Sequence, residues 1–396
     1  MRILMLTPYL PYPPSSGGQI RSYNLIKQLS KKHKITLYSL IKYDDEKQYV
    51  EKLEKYCEKV KVFHRAEKPW TLKNIFRTAV SHYPFLVIRN FSKDEMESVK
   101  KTLNKDHYDI IHAETFYVSP HIPHTDTPIV LVDQAIEYQV YQHFVKNFKW
   151  PFLKPFLALD VRKIKFWETY YWQRAAHVIA VSERDAGTMR QFVSSGKVSV
   201  VPNPVGEDLM QNVPLHYSKR ILFQGNYAWL QNVEAVEILV RKIFPKILAK
   251  IPDAELIISG QNADRVSHFK TKNMKIVNLE ISDIEGVKRA YHTSGIMVAP
   301  LYGPSGARVK IVGAMAAKLP VVTTSIGIEG INSTDGESVL IADTPEGMAD
   351  KAIKLLTDKV LYEKIARNAR LLVNENYTYY VIAKKLDQIY QRVASK

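Results

Sequence analysis

The sequence predicts an α/β protein of two doubly wound domains, each a parallel sheet with helices on both sides, facing each other across a cleft. Three observations carry this. Short runs rich in Val, Ile and Leu, apolar at successive positions, recur along the chain as strands buried on both faces do. Amphipathic segments separate them, the pattern of helices packed on a sheet. The series also stops at a proline-rich segment and then restarts.

In order, the first series of strands is expected at Ile3 to Leu6, Ile35 to Leu40, Val60 to Phe63, Asp109 to His112, Ile129 to Val132, His177 to Val181 and Val198 to Val201. Helical patterns such as Arg21 to Leu29 and Asp94 to Leu103 lie between them. PNPVGEDLMQNVPL, residues 202–215, holds three prolines and a glycine and reads as the linker. The second series follows at Arg220 to Phe223, Glu255 to Ser259, Lys275 to Leu279, Gly295 to Ala299, Val321 to Thr324 and Ser338 to Ile341. A last helical pattern, Tyr377 to Val393, either caps the second sheet or crosses back to the first domain.

Composition narrows the function. At 396 residues the chain suits two or three domains of ordinary size. Its single cysteine, Cys57, excludes a disulfide framework, a cysteine-based zinc site and an iron–sulfur cluster, and suits a reducing, cytoplasmic setting. The opening MRILMLTPYLPYPP has one Arg and an apolar run cut off by prolines, so it reads as a first strand and not as a signal peptide. No apolar run nears the ~18 residues needed to span a bilayer. The net charge of +16 is uneven: residues 1–206 hold 31 basic and 20 acidic side chains, the remainder 25 and 20. A basic first half fits nucleic acid, an anionic membrane surface or an acidic substrate, and equally a merely well-solvated face. Against nucleic acid, the positive charge is not gathered with aromatic residues into a recognised binding module.

In open α/β sheets ligands bind beyond the carboxyl ends of the strands. After the first strand comes PSSGGQIRSY, with Gly17 and Gly18 preceding a helix from Ile20. His112 and Glu114 sit at a later strand end, two residues apart and hence on one face. Asp133 and Glu137 follow the next strand. In the second half the ends read FQGNY, with Gly225 and Asn226, then SGQNAD, then the stretch GPSGARVKIVGAMAAKLP, residues 303–320. There Gly303 and Gly306 permit a tight turn. Val309, Val312, Ala316 and Leu319 share a helical face, with Arg308 and Lys310 in the first turn. Cations are disfavoured at a helix N-terminus, so two of them beside unpaired N–H groups suggest a phosphate or diphosphate site. The alternative is a strand–loop–helix with two solvated basic side chains. Two histidines, His121 and His124 in HIPH, lack a third partner and sit in a proline-bearing loop, where a surface turn is expected and no metal. There is no GxGxxG, Walker loop or GxSxG elbow.

Seven blocks taken together resemble those of the GT-B glycosyltransferases, specifically the family-four group of retaining enzymes. They are PYPPSSGGQIRSYNLIKQL, YDIIHAE, VLVDQAIEYQVYQ, RAAHVIAVSERDA, VVPNPV, FQGNYAWLQNVEA and GARVKIVGAMAAKLPVVTTSIGIEGI, in the family's order and over essentially the full length. The resemblance implies two Rossmann-like domains: residues 1–204 on the acceptor side, residues 205–376 holding the donor, and residues 377–396 as the terminal helix. It implies a nucleotide-diphosphate sugar as co-substrate, no other cofactor and no metal. Arg308 and Lys310 match the basic pair that meets the donor diphosphate, where fixed cations would stabilise the charge of the leaving group. Gly17 and Gly18 would lend N–H groups nearby. Gly225, Asn226, Gly303, Ser305, Gly306 and Glu329 would surround the sugar and nucleotide.

Two departures stand out. The family commonly carries two glutamates with seven residues between them where this chain has Ser305 and Gly313, so Asn226 and Glu329 become candidates for their work. At the position of Glu114 many relatives have histidine; Glu114, with His112 and Glu137, is a candidate base or polar support beside the anomeric carbon, or simply a carboxylate paired with a neighbouring cation. The implied acceptor is a glycan or a polyprenyl-linked glycan, in surface polysaccharide synthesis. Residues 144–167, FVKNFKWPFLKPFLALDVRKIKFW, mix basic and aromatic side chains and offer a peripheral contact with the inner face of a membrane, or an amphipathic helix packed on its own sheet. The remaining readings are a GT-B nucleotide-sugar epimerase, a catalytically silent nucleotide-sugar binder, and a basic nucleic-acid-binding protein.

Overall fold

The computed structural model describes residues 1–14, 16–68, 70–211, 214–280, 283–303 and 309–395. Ser305, Gly306 and Arg308 lie outside them. The chain forms two compact units, Met1–Pro202 with Ile382–Lys396, and Asn203–Val381.

The first unit is built on a seven-stranded sheet of β1 (Arg2–Thr7), β2 (Lys34–Ile41), β3 (Lys59–His64), β4 (Ile110–Glu114), β5 (Ile129–Asp133), β6 (His177–Ala180) and β7 (Val198–Val200). Its order is β3-β2-β1-β4-β5-β6-β7, parallel throughout. The second unit has β8 (Arg220–Asn226), β9 (Glu255–Gln261), β10 (Met274–Asn278), β11 (Ile296–Ala299), β12 (Val321–Thr323) and β13 (Leu340–Ile341), in the order β10-β9-β8-β11-β12-β13, again parallel. The continuous apolar runs become central strands: Ile3, Leu4, Leu6, Ile110, Ile111, Leu222 and Ile296 are all wholly buried. Strand order reverses direction at β1/β4 in one sheet and at β8/β11 in the other. Such reversals open a crevice beyond the carboxyl ends of the strands, where ligands of doubly wound sheets bind.

Local details differ from the sequence reading. The first helix begins at Gly17, not Ile20, because Ser16 caps it by accepting from the Gln19 N–H. The helix after Gly303 covers Val309–Ala316; Lys318 then takes a left-handed conformation (φ 59°), so Leu319 packs into the core from beyond the helix end. The terminal helix runs Tyr379–Ala394, and from Ile382 onward it belongs to the first unit. His121 is not in a surface turn: it is wholly buried, Nε2 accepts from the Ser92 N–H and Nδ1 donates to the Val118 carbonyl, both at 2.9 Å, while His124 is exposed. Among the described residues no group of three His, Cys, Asp or Glu is placed to hold a metal, and no helix is long and apolar enough to cross a membrane.

Candidate functional site

At the reversal point of the second sheet, β8 ends in Gly225 and Asn226. Asn226 is fixed from several sides. Its amide donates to Gln261 Oε1 at 2.8 Å, its Oδ1 accepts from Ala228 N–H and Asn262 Nδ2 at 2.9 Å each, and its carbonyl accepts from Asn232 Nδ2 at 2.7 Å. Asn232 Oδ1 in turn accepts from Lys310 Nζ at 2.5 Å, and that ammonium stands 4.7 Å from the centre of the Phe223 ring. A Cβ at Gly225 would lie 3.2 Å from the Asn232 amide and 3.3 Å from Lys310 Nζ. Glycine is therefore what lets the ammonium lie against the strand end. Gly260 on β9, with φ +138°, is required for a similar reason: a side chain there would collide with the Gly225 carbonyl.

The structure thus brings Lys310, Gly225 and Asn226 together at one strand end. Gly303 lies beyond β11, and Glu329 is half-buried in the loop after β12, a loop held by Gly327 N–H donating to Thr324 Oγ1 at 2.8 Å. Position 313, where the resemblance calls for glutamate, is crowded: a Cβ would meet Leu209 at 3.2 Å and the Tyr291 hydroxyl at 3.3 Å. Packing accounts for this glycine.

In the first unit, the reversal point carries a buried polar network. His112 Nε2 and Glu114 Oε2 are 2.8 Å apart, His112 Nδ1 lies 2.5 Å from the Tyr390 hydroxyl, and Glu114 Oε1 accepts from Gln134 Nε2 at 2.6 Å. Arg21 Nε stands 3.5 Å from Glu114 Oε1, and Arg21 Nη1 donates to the Pro202 carbonyl at 3.0 Å. Because an ionised Glu114 only accepts, His112 carries its proton on Nε2. Burial pushes the Glu114 carboxyl up, but the hydrogen bond and charge of His112, with Arg21, outweigh it and hold the group below its usual range. At 1% exposure Glu114 is ion-paired and enclosed. Gly18 has a steric role in the same network, since a Cβ there would fall 2.2 Å from the Tyr9 hydroxyl, itself a partner of Gln134 at 3.1 Å.

Glu137 opens the Glu137–Lys146 helix beside two further carboxylates, Asp133 and one that sequence reading left aside, Glu168. Glu168 accepts from the N–H groups of Glu137 and Tyr138 at 2.7 and 3.0 Å, capping that helix from Lys154–Arg174. Asp133 accepts from the Phe116 N–H at 2.8 Å and from Trp172 Nε1 at 2.5 Å. Burial raises all three: Asp133 and Glu137 to about 7, and Glu168 well above its usual value.

Residues 144–167 form the end of one helix, a short turn and the start of the next. They leave Phe144, Trp150, Phe152, Phe156, Leu159 and Phe166 exposed, Phe156 at 73%. Lys149 and Arg162 are exposed beside them, whereas Lys163 is committed to the Thr78 and Ser81 carbonyls at 2.7 Å each. Its other side is packed: Ile164 is wholly buried and Val161 and Trp167 lie against the first unit's core, so the second helix is amphipathic.

Two parallel doubly wound sheets, each with polar residues converging at its reversal point, are the architecture of the GT-B fold. Comparison with known proteins agrees. The family described as "Glycosyltransferase Family 4" matches residues 15–209, and "Glycosyl transferases group 1" matches residues 218–358. The chain belongs to the GT-B glycosyltransferases of the family-four type. It is 23% identical to an "Uncharacterized 44.6 kDa protein in cps region" of Klebsiella pneumoniae, over 95% of this chain and 96% of that one. It is 26% identical to an uncharacterized glycosyltransferase of Methanocaldococcus jannaschii, over 80% and 84%. Among solved structures, Anabaena HepE in complex with UDP and glucose superposes with a TM-score of 0.64 at 15% identity, over 99% of this chain and all of that one, a likeness of fold.

Proposed function

We propose that the chain moves a hexosyl group from a nucleotide-diphosphate sugar to a glycan or lipid-linked glycan, with retention and without a metal, in building a surface polysaccharide at the inner face of a membrane. The observation that carries this reading is the Lys310 ammonium, fixed by Asn232 against the end of β8. A diphosphate placed there would meet a positive charge already in position, and charge that grows as the nucleotide leaves would be stabilised without reorganisation. Arg308 is the second cation on sequence grounds. Gly225, Asn226, Gly303 and Glu329 would line the nucleotide and sugar, and the UDP and glucose bound by HepE support a donor of that kind.

Burial gives His112 and Glu114 a positioning role: they hold the first helix, through Arg21, against β4 and the terminal helix. Glu137, half-buried and with its carboxyl pushed up to about 7 by burial, would be the better suited of these carboxylates to exchange a proton. The exposed apolar and basic side chains of residues 144–167 support docking on an anionic membrane surface.

A second reading, a silent nucleotide-sugar binder, is favoured by Ser305 and Gly313 in place of glutamates. A thermal-shift panel of UDP-, GDP-, ADP- and TDP-sugars tests the shared claim, since a ligand of the native state raises stability. At least one donor should raise the melting temperature; a flat panel overturns both readings. Release of free sugar from that donor then separates enzyme from silent binder.

A further inference from the structure

A cleft of about 720 Å³ lies within the second unit, between its sheet and the Ile284–His292 helix, and Lys310 does not line it. Successive side chains of a strand point to opposite faces, and every second residue of β9 and β10 faces this cleft. Ile257 and Ser259 come from β9, and Lys275, Val277 and Leu279 from β10. Lys275 stands beside Ile257 in register, and Val277 beside Ser259. The helix packs on β8 and β9, whereas β10 is the edge of the sheet, so the cleft opens on the β10 side.

Among the apolar side chains of the floor, Ser259 is the polar exception. It is 1% exposed, and its Oγ is buried with no hydrogen-bond partner. Gln224, its register partner on β8, points to the same face, and its Oε1 is likewise buried without a partner. Folded proteins leave few buried polar atoms unsatisfied. Two of them side by side, one lining a cleft, ask for a polar ligand edge.

The charge of the cleft is set by which cations are already engaged. Its two acids are neutralised: Asp253 accepts from Lys219 Nζ at 2.8 Å, and Glu255 accepts from Arg220 Nε at 3.2 Å. Arg220 is held further by donating Nη1 to the Thr293 carbonyl at 3.3 Å. Lys275 from the floor and Arg289 from the helix also line the cleft, are exposed, and form no ion pair among the described residues. Two uncommitted cations on opposite walls fit an anionic group, a phosphate above all.

These features constrain the ligand together. A free inorganic anion would leave the surface of Ile257, Val277 and Leu279 uncovered, and an acyl chain would leave Ser259 and Gln224 unmet. A flat heterocycle with a hydrogen-bonding edge and one phosphate answers all three, and the volume is in the range of sites for ligands of that size. We propose that this cleft is a second ligand site of the chain and takes a nucleoside monophosphate. The base would lie on Val277 and Leu279 against Ser259 and Gln224, with the phosphate between Lys275 and Arg289. The site is separate from the donor reading and stands or falls without it.

The test is calorimetric titration of the full chain with AMP, GMP, CMP and UMP, in wild type, Lys275→Gln/Arg289→Gln, Ser259→Val and Lys310→Met. The same four proteins are titrated with UDP, GDP, ADP and TDP. At least one monophosphate should bind wild type, weaken at least tenfold in Lys275→Gln/Arg289→Gln and several-fold in Ser259→Val, and bind Lys310→Met as before. Lys275 and Arg289 make no side-chain bond within the described fold, so the double variant tests the site without a folding defect. Monophosphate binding that survives the double variant and is lost in Lys310→Met would overturn the proposal, as would no binding of any monophosphate to wild type. An unaffected Ser259→Val would overturn the placement of the base. The donor reading is read apart from this: it fails when no nucleoside diphosphate loses affinity in Lys310→Met.

Discussion

The hydroxyl of Tyr390 lies 2.5 Å from Nδ1 of His112, across 278 positions of sequence. It ties the terminal helix to β4 inside the first unit, and both residues are buried. Tyr390→Phe keeps the ring and removes only this bond, leaving a buried imidazole nitrogen unpaired. The expected cost is about 1–3 kcal/mol, read as a lower urea midpoint with an unchanged slope. An unaltered midpoint would mean that the terminal helix is held by its other contacts, among them Asp387 with Lys32 and His33.

The buried acids predict an unusual pH response. Asp133 has an ordinary value of 3.8 and a folded value of about 7; Glu137 moves from 4.5 to about 7. Below about pH 4 both states hold these protons. Between there and 7 the unfolded chain releases them while the folded protein does not, so the folded state binds more protons and stability falls as pH rises through the window. Glu114 acts in the opposite sense: its folded value is lowered, so its contribution is present above about 4.5 and lost as pH falls. Asp133→Asn should flatten the loss between pH 5 and pH 7. Above about pH 7, where the carboxylate accepts from both Phe116 and Trp172, it should also cost about 1–3 kcal/mol, because an amide offers one oxygen in place of two. An equally steep loss in the variant would acquit Asp133.

Gly225→Ala is a small change with a directed effect. The added carbon meets Asn232 and Lys310 Nζ at 3.2 and 3.3 Å, so the ammonium must give way. Affinity for the best nucleoside diphosphate should drop several-fold, while the melting temperature moves by no more than a few degrees. Equal affinity would show that the ammonium position is not set by this strand end.

The membrane prediction is specific to exposed side chains. The purified chain should co-sediment with anionic liposomes more than with neutral ones. Phe152→Ser/Phe156→Ser should reduce that binding, as should Lys149→Gln/Arg162→Gln. Lys163 is excluded from the design because it anchors two backbone carbonyls. Indifference to lipid charge would remove the membrane from the account.

Much of this architecture is legible in the chain because both-face-buried strands write themselves as unbroken Val and Ile runs. Ile3 to Leu6 and Ile129 to Val132 need no tertiary information to be placed. The strand-end residues Gly225, Asn226 and Glu114 follow from the same logic. What escaped notice depends on register or on distant partners. Gln224 and Ser259 stand side by side only because β8 and β9 align, and Tyr390 finds His112 only after the terminal helix crosses back. Glu168 caps another helix from 30 residues away, a contact with no local signature. The Leu72–Val80 helix departs from that logic, since its apolar Leu72, Ile75, Phe76 and Val80 stand exposed.

The central claim is that Lys310 is a fixed counter-charge for a donor diphosphate, and Lys310→Met tests it most directly. Of UDP, GDP, ADP and TDP, the tightest binder should lose at least tenfold in affinity while its parent nucleoside binds as before, with the melting temperature of the free protein nearly unchanged. Undiminished binding of that nucleoside diphosphate by Lys310→Met would contradict the account.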